Sequence, residues 1–420
     1  MIEFNINSPQ HISVLLFGGE LLEDIKIENG VFKGGKAPGQ IKYKKIKQKI
    51  NIRGLKINSK NSEETKTKNI FKTDEETLNN LIKKFKENDV QLLKYKDQID
   101  ILTVILTIRA LQKEVSTYYE NIYKYIYNNN FVHANFTHVK TSTGRLNCSS
   151  PNLQNQPKPP SKISKHFTSR FLEGNLLLTD YSQIDVRCEA QQCGDKQRKK
   201  DIQSGIDDHT MYLSFMVNKP YAELIEKVKT DPYWKNQRSI AKGFTFAGQY
   251  LASPATIARN INITESLATK VMDDRKNLYS TLYEWHTKNY EQIKKCGYYN
   301  TLTGRILRFK KYSGQYGEYY SPNEASNYCT QSLAGDIVGG MLGIFWRKKA
   351  IYNRDKYLLI NTVHDNYIFD VKTVYIETLK EDLKVVDTWK EVCYDKFNYL
   401  WDIDILRDTC IGNSWYECLE

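Results

Sequence analysis

Proline and methionine are scarce in this 420-residue chain, at ten and five residues. No apolar run approaches the ~18 residues that a membrane span requires, so a membrane-embedded function is not expected. The opening MIEFNINSPQ has no basic segment leading into an apolar stretch, which argues against a secretory leader. The eight cysteines (148, 188, 193, 296, 329, 393, 410 and 418) form no CxxC pair, and no Cys/His grouping has zinc-like spacing. Free thiols in a reducing cytoplasm are therefore expected. Internal repeats and long low-complexity linkers are absent too, which excludes a solenoid.

Positive charge, by contrast, is abundant. Sixty-one Lys and Arg face 49 Asp and Glu, a formal net charge of +12. This balance favours a polyanionic partner. At 40% hydrophobic residues the chain supports a large core, and its length predicts one module built of subdomains.

Along the chain, residues 1–30 read as a short ordered entry with an apolar stretch at Val14–Phe17. Residues 34–60 are Gly- and Lys-rich and then alternate with period two, predicting a basic β-ribbon that either contacts nucleic acid or is simply solvated. Asp74, followed by Glu75 and Glu76, marks a helix start. Between Leu92 and Tyr127, apolar residues at helical spacing (Ile101, Val104, Ile105, Ile108, Leu111, Val115) predict a long antiparallel helix pair. Residues 139–160 form a loop. Helical patterns recur over 236–250, 265–295 and 324–349. YLLINTV and YIFDV flank HDN, predicting a β-hairpin with its turn at His364–Asn366.

Two constellations carry chemistry. Asp180 follows the apolar run Leu176–Thr179, and Asp365 follows Leu358–Val363. Carboxylates at strand ends on adjacent strands are suited to sharing Mg²⁺, which prefers oxygen ligands and keeps several waters. The alternative is that each is a turn former or a helix cap. Second, Arg238, Lys242, Phe246 and Tyr250 recur every four residues in RSIAKGFTFAGQY. On a helix they form one stripe, two cations for phosphates and two rings for sugar and base. An amphipathic helix with solvated charges and core aromatics has the same pattern.

Seven segments, in order, resemble family A DNA polymerases. TSTGRLNCSSPNLQNQP is similar to the family's TGRLSS…PNLQNIP stretch, DYSQIDVR to motif A, and RSIAKGFTFAGQY to motif B. NTLTGRILRF is similar to TxxGRRR, NYCTQSLAGDI to NxxxQGTAADI, VHDNYIFDV to motif C, and IGNSWYE to the C-terminal GxxW segment. The match runs from about residue 75 to 416. The resemblance implies an α+β right hand: an N-terminal segment 1–70, thumb helices 71–130, a palm with an antiparallel sheet from 131–210 and 301–420, and fingers 211–300.

It also implies roles. Asp180, Asp365 and the Tyr181 carbonyl would hold two Mg²⁺, with Mn²⁺ a substitute. Arg238, Lys242 and His209 would meet the triphosphate, with Lys242 a proton donor to pyrophosphate. Phe246 would lie under the sugar, a phenyl ring there implying discrimination against dideoxynucleotides, and Tyr250 would shape the base-pair pocket. Gln183 and Asp185 would complete the nucleotide site. Arg145, Asn152, Gln154, Arg305, Asn327, Gln331 and His364 would contact DNA. The implied activity is template-directed extension of a primer by dNTPs, without intrinsic 3′→5′ proofreading. The implied form is a monomer in a bacterial or phage-infected cytoplasm, phage- or plasmid-like, with any exonuclease, helicase/primase or single-strand-binding protein supplied separately.

Four positions depart from the family pattern. Asp185 stands where Glu is usual, which predicts weaker ribonucleotide exclusion. Asn366 replaces the Glu of HDE, and Ala247 and Leu251 replace motif B glycines. Two rivals remain: a single-subunit RNA polymerase, which the acidic residue at 185 disfavours, and a non-catalytic DNA-binding relative, which retention of both aspartates and both cations disfavours.

Overall fold

The computed structural model describes residues 4–31, 40–58, 62–63, 65, 70–127, 129–138, 140–159, 161–249, 252–315 and 317–419, without the side chains of 22–24 and 246–249. The chain forms two compact units, Met1–Lys124 and Tyr125–Glu420.

In the first unit, α1 (Pro9–Phe17) begins at Ser8, whose hydroxyl accepts from the His11 N–H, with proline in the first turn. Two antiparallel strands follow, β1 (Gly19–Val31) and β2 (Ile41–Ile52). At their base, Gly18 and Gly54 both have positive φ (80° and 68°), and a Cβ on Gly54 would sit 2.3 Å from the Gly18 nitrogen. Only glycine permits this approach. The basic ribbon expected within 34–60 is thus β2, but its partner is β1, from the segment read as an entry.

Helices α2 (Glu75–Phe85), α3 (Asp89–Lys94) and α4 (Lys96–Glu114) come next, then a π-helical turn at Val115–Tyr119 and α5 (Glu120–Tyr123). Asp74 caps α2 by accepting from the Thr77 N–H at 2.8 Å. The helix pair expected within 92–127 is instead one long helix extended by the π turn, and α2 packs against it. The buried stripe of α4 is Ile99, Leu102 and Ile105, joined to Ile12, Leu16, Leu78, Leu81 and Phe85. Val104, Leu111 and Val115 remain exposed, because the apolar spacing covers more than one helix face.

The second unit centres on a four-stranded antiparallel sheet in the order β10 (Tyr357–Val363), β11 (Asn366–Lys372), β5 (Gly174–Tyr181), β12 (Arg407–Gly412). Alternation buries both faces. Leu177, Tyr181, Tyr367 and Phe369 pack with Ile337 and Met341 of the long helix α14 (Pro322–Lys348) and with α16 (Trp389–Phe397). Leu176, Leu178 and Ile368 pack with Trp415 and Cys418.

Before β5 lie two short strands, β3 (Asn135–Thr137) and β4 (Asn147–Ser149). Between β5 and α14 run α6 (Ile184–Cys193), α7 (Lys196–Gln203), α8 (Asp208–Val217), α9 (Tyr221–Thr230), α10 (Pro232–Gln249), α11 (Pro254–Ile261), α12 (Glu265–Leu278) and α13 (Ser280–Cys296), then the hairpins β6–β7 (Tyr298–Asn300, Ile306–Arg308) and β8–β9 (Lys311–Gly314, Gly317–Tyr320). The remaining helix, α15 (Ile376–Asp382), follows β11. The helix expected over 265–295 is broken at Tyr279. Its buried side chain donates to Asp201 at 2.8 Å, a tertiary bond with no local breaker residue to announce it. Among the described residues no helix is long and apolar enough to cross a membrane.

Candidate active site

Strand pairing brings the two predicted carboxylates together. Asp180, the penultimate residue of β5, stands opposite Asn366 of β11, and the Tyr181 N–H donates to the Asp365 carbonyl at 3.1 Å. Val363 pairs with Asn366, so the hairpin turn comprises His364 and Asp365, one residue shorter than the expected His364–Asn366. His364 has φ 56°, the positive value that tight hairpins require. The Asn366 side chain accepts from the Val363 N–H at 3.1 Å and so closes the turn itself.

The site is electrostatically strained. Burial, then the charge of Asp365, pushes the Asp180 carboxyl up to about 6; Asp408 adds to the rise and Lys158 opposes it. Asp365 is raised by burial and by Asp185, against Arg145 and His364. Asp408 lies directly opposite Asp180 on β12. Oδ1 of Asp180 is buried with no hydrogen-bond partner among the described residues. An all-oxygen set with an unsatisfied buried acceptor and mutual repulsion fits a hard divalent cation. Among the described residues there is no cluster of three or more His, Cys, Asp or Glu arranged for a metal.

Tyr181 is buried, its hydroxyl donating to the Val386 carbonyl at 3.2 Å. Gln183 takes a left-handed conformation (φ 53°) where β5 turns into α6, and its carbonyl accepts from the Arg187 N–H. Asp185, in the first turn of α6, is held by Arg145, whose Nη2 lies 2.8 and 2.9 Å from its two oxygens. The PNLQN loop is tied to the hairpin. Gln154 donates to the Thr362 carbonyl at 3.1 Å, and Asn152 accepts from the Gln154 N–H in a local turn. Arg305 pairs with Asp336 of α14. Gly144 (φ 78°) lies against Arg305, where a Cβ would be 2.4 Å from the guanidinium carbon. Arg145, Gln154, Arg305 and His364 line one cavity of about 1060 Å³ with Gly335, Gly339 and Gly340 of α14. Asn327 and Gln331, one turn apart on α14, are half-buried and do not line that cavity.

The stripe expected to meet phosphate lies on α10. Asp207 grips Arg238 with two bonds of 2.7 Å and also caps α8 through the Thr210 N–H. The Arg238 bond, set against burial, holds Asp207 down to about 2. His209 Nδ1 lies 2.8 Å from the Thr245 hydroxyl. Burial lowers its pKa, with Arg238 and Lys242 adding to the fall and Asp207 opposing it. Lys242 is exposed. Tyr212 stacks on Phe244 at 5.6 Å, joining α8 to α10. The Phe246 side chain, Tyr250 and Leu251 lie outside the described residues, as does the side chain of Ala247. Sequence reasoning missed Asp207, Asp408, Asp336 and Lys158. Asp207 had a signal, standing two residues before His209 at a helix start; Asp408 had none short of knowing the strand order.

The chain matches DNA polymerase family A over residues 42–417. It is 28% identical to DNA polymerase I of Helicobacter pylori over 304 residues, covering 71% of this chain and 32% of that protein. It is 28% identical to DNA polymerase I of Borreliella burgdorferi over 338 residues (78% and 35%) and to the thermostable DNA polymerase I of Thermus filiformis over 325 residues (76% and 36%). The chain thus spans about a third of the length of these relatives. A solved structure described as the POL domain of Pol1 from M. smegmatis, in complex with DNA primer-template and dNTP, matches all of this chain and 62% of that one, with a TM-score of 0.69 and 20% identity. The fold is that of the polymerase right hand, and the chain belongs to DNA polymerase family A.

Proposed function

We propose that this chain is a template-directed DNA polymerase that adds deoxynucleotides to a primer 3′-hydroxyl. The observation that carries this reading is the pairing of β5 with β11, which sets Asp180 beside Asp365 with an unsatisfied buried oxygen. In this reading the four-stranded sheet is the palm, 211–300 the fingers and 71–130 the thumb.

Asp180, Asp365 and the Tyr181 carbonyl would hold two Mg²⁺, for which Mn²⁺ substitutes. When bound, such ions supply positive charge at the attacking and leaving oxygens of an in-line displacement. The chain's own groups do the rest. Arg238 and Lys242 offset charge on the triphosphate as pyrophosphate departs, and Asp207 holds the Arg238 fork in position. His209, whose pKa burial lowers, donates a ring N–H hydrogen bond to phosphate. Arg145, Gln154, Arg305 and His364 offer polar groups along one cavity to the duplex.

Primer extension with Mg²⁺ is the test. Asp365→Ala is expected to lower the rate by roughly 10³-fold or more, several kcal/mol of transition-state stabilisation. Robust extension by the variant, or none by the wild type on any primer–template, would sink the reading.

A further inference from the structure

The β1–β2 ribbon is not used by the polymerase site described above, and its construction is unusual. Two strands of 13 and 12 residues pair alone. An isolated two-stranded ribbon is marginal in water, and this one reaches about 40 Å at ~3.3 Å per residue. Its base is anchored: Leu21 is buried, and the Leu55 N–H donates to the Leu15 carbonyl at 2.8 Å. Among the described residues its outer half has no such anchor.

The two halves also differ in charge. Near the base, the acids Glu20, Glu23 and Asp24 outnumber Lys47 and Lys49, and Lys49 pairs with Glu20 at 2.9 Å. In residues 25–31 and 40–46 there are four lysines (Lys26, Lys42, Lys44 and Lys45) against the single Glu28. That is +3 in 14 residues of a chain whose total is +12. Lys26 stands directly opposite Lys45 in the register, a like-charge juxtaposition that destabilises the isolated sheet. Lys44 and Lys45 form no ion pair among the described residues. The same outer half exposes Ile27, Val31, Ile41, Tyr43 and Ile46, each 37–54% accessible. Lysines interleaved with exposed aliphatic and aromatic side chains, repelling one another in the free protein, form a surface complementary to a polyanion with apolar faces.

We propose that the outer half of this ribbon, residues 25–31 and 40–46, is a nucleic-acid-binding arm whose lysines contact the sugar–phosphate backbone of the primer–template. A two-stranded ribbon is narrow enough to lie along a phosphate backbone or in a major groove. Opposed lysines become favourable once a phosphate lies between them, and contact with DNA removes the exposed isoleucines and Tyr43 from water. The partner's identity as DNA rests on the polymerase reading; the polyanion complementarity stands on the ribbon alone.

The test uses the full chain and a fluorescent primer–template, with affinity measured by anisotropy in the absence of nucleotide across a KCl series. One variant is Lys42→Ser/Lys44→Ser/Lys45→Ser. A second joins Asp24 to Lys47 through Asn-Gly, preserving the register in which those two residues face each other while deleting the outer half. Both are expected to bind DNA at least about tenfold more weakly at 100 mM KCl, and the slope of log affinity against log salt should fall by about 2–3, at ~0.9 per lost phosphate contact. Single-turnover incorporation at saturating DNA should stay at the wild-type rate. Unchanged affinity and salt slope in both variants would overturn the arm and assign the surface to an acidic protein instead. Failure of the wild type to extend a primer would overturn the polymerase reading while leaving the binding measurement intact.

Discussion

Two partly buried aspartates in the same unit behave in opposite ways. Burial raises the pKa of both Asp180 and Asp207, yet Asp180 ends near 6 and Asp207 near 2. The difference lies in the neighbours. Asp207 has the Arg238 fork and the Thr210 amide at hydrogen-bond distance. Asp180 faces two further carboxylates, Asp365 and Asp408, with an oxygen that bonds to nothing among the described residues. One carboxylate is neutralised within the protein by an arginine. The other is left uncompensated, and a bound cation would recover its electrostatic cost. A folded chain retains such a defect where the ligand completes it.

The sharpest way to break this contrast is to remove the compensated charge. Asp207→Asn keeps the helix cap and the shape but leaves the Arg238 guanidinium without its anion. Both side chains are partly exposed, 22% and 32%, so solvent screening limits the loss to about 1–2 kcal/mol of stability. The KM for dNTP should rise roughly tenfold as Arg238 loses its position, at about 1.4 kcal/mol per decade. The wild-type contribution has a defined pH window. Because the folded pKa is depressed, the stabilisation is full above the ordinary carboxylate value and fades as pH falls toward 2. A variant with wild-type melting temperature and KM would show that Arg238 is held by something else.

Removing the uncompensated charge should do the reverse. Asp180→Asn is expected to stabilise the metal-free protein at pH 7.5 by about 1 kcal/mol, after allowance for screening, while abolishing extension. A raised carboxyl pKa makes the folded state bind the extra proton, so the wild-type penalty is full above pH 6 and disappears toward pH 4. Mg²⁺ held by the same oxygens would then compete with protons. The Mg²⁺-induced rise in melting temperature should be larger at pH 8 than at pH 5.5, and should be lost in the variant. An Mg²⁺ effect that is equal at both pH values would place the cation elsewhere.

The elements that carry this contrast are readable in the amino-acid order, for identifiable reasons. Apolar runs ending in aspartate marked the strands β5 and β10, since such runs bury themselves and leave the carboxylate at the rim. The i, i+4 spacing of Arg238 and Lys242 put both on α10. The pairing partners were not readable. That β2 pairs with β1, that β12 inserts Asp408 opposite Asp180, and that Tyr279 ends α12 by reaching Asp201 all depend on residues dozens to hundreds of positions away. Local pattern carries the elements, whereas the compensation of a charge is a tertiary property.

Asp185 stands between the two cases, and it supplies the finest test. It contributes to the raised pKa of Asp365, yet its own oxygens are both held by Arg145. At aspartate length the carboxylate reaches back to that guanidinium, with 34% of the side chain still exposed. Glutamate adds one methylene and carries the charge farther into the cleft, where a ribose 2′-hydroxyl would have to fit. One methylene in a shaped pocket is worth about 1–3 kcal/mol. Asp185→Glu should therefore raise the ratio of kcat/KM for deoxy- over ribonucleotides by roughly tenfold, with the deoxynucleotide value little changed. Equal ratios in the two proteins would mean that sugar selection does not depend on the reach of this side chain, and that Arg145 already holds the wild-type carboxylate where a glutamate would stand.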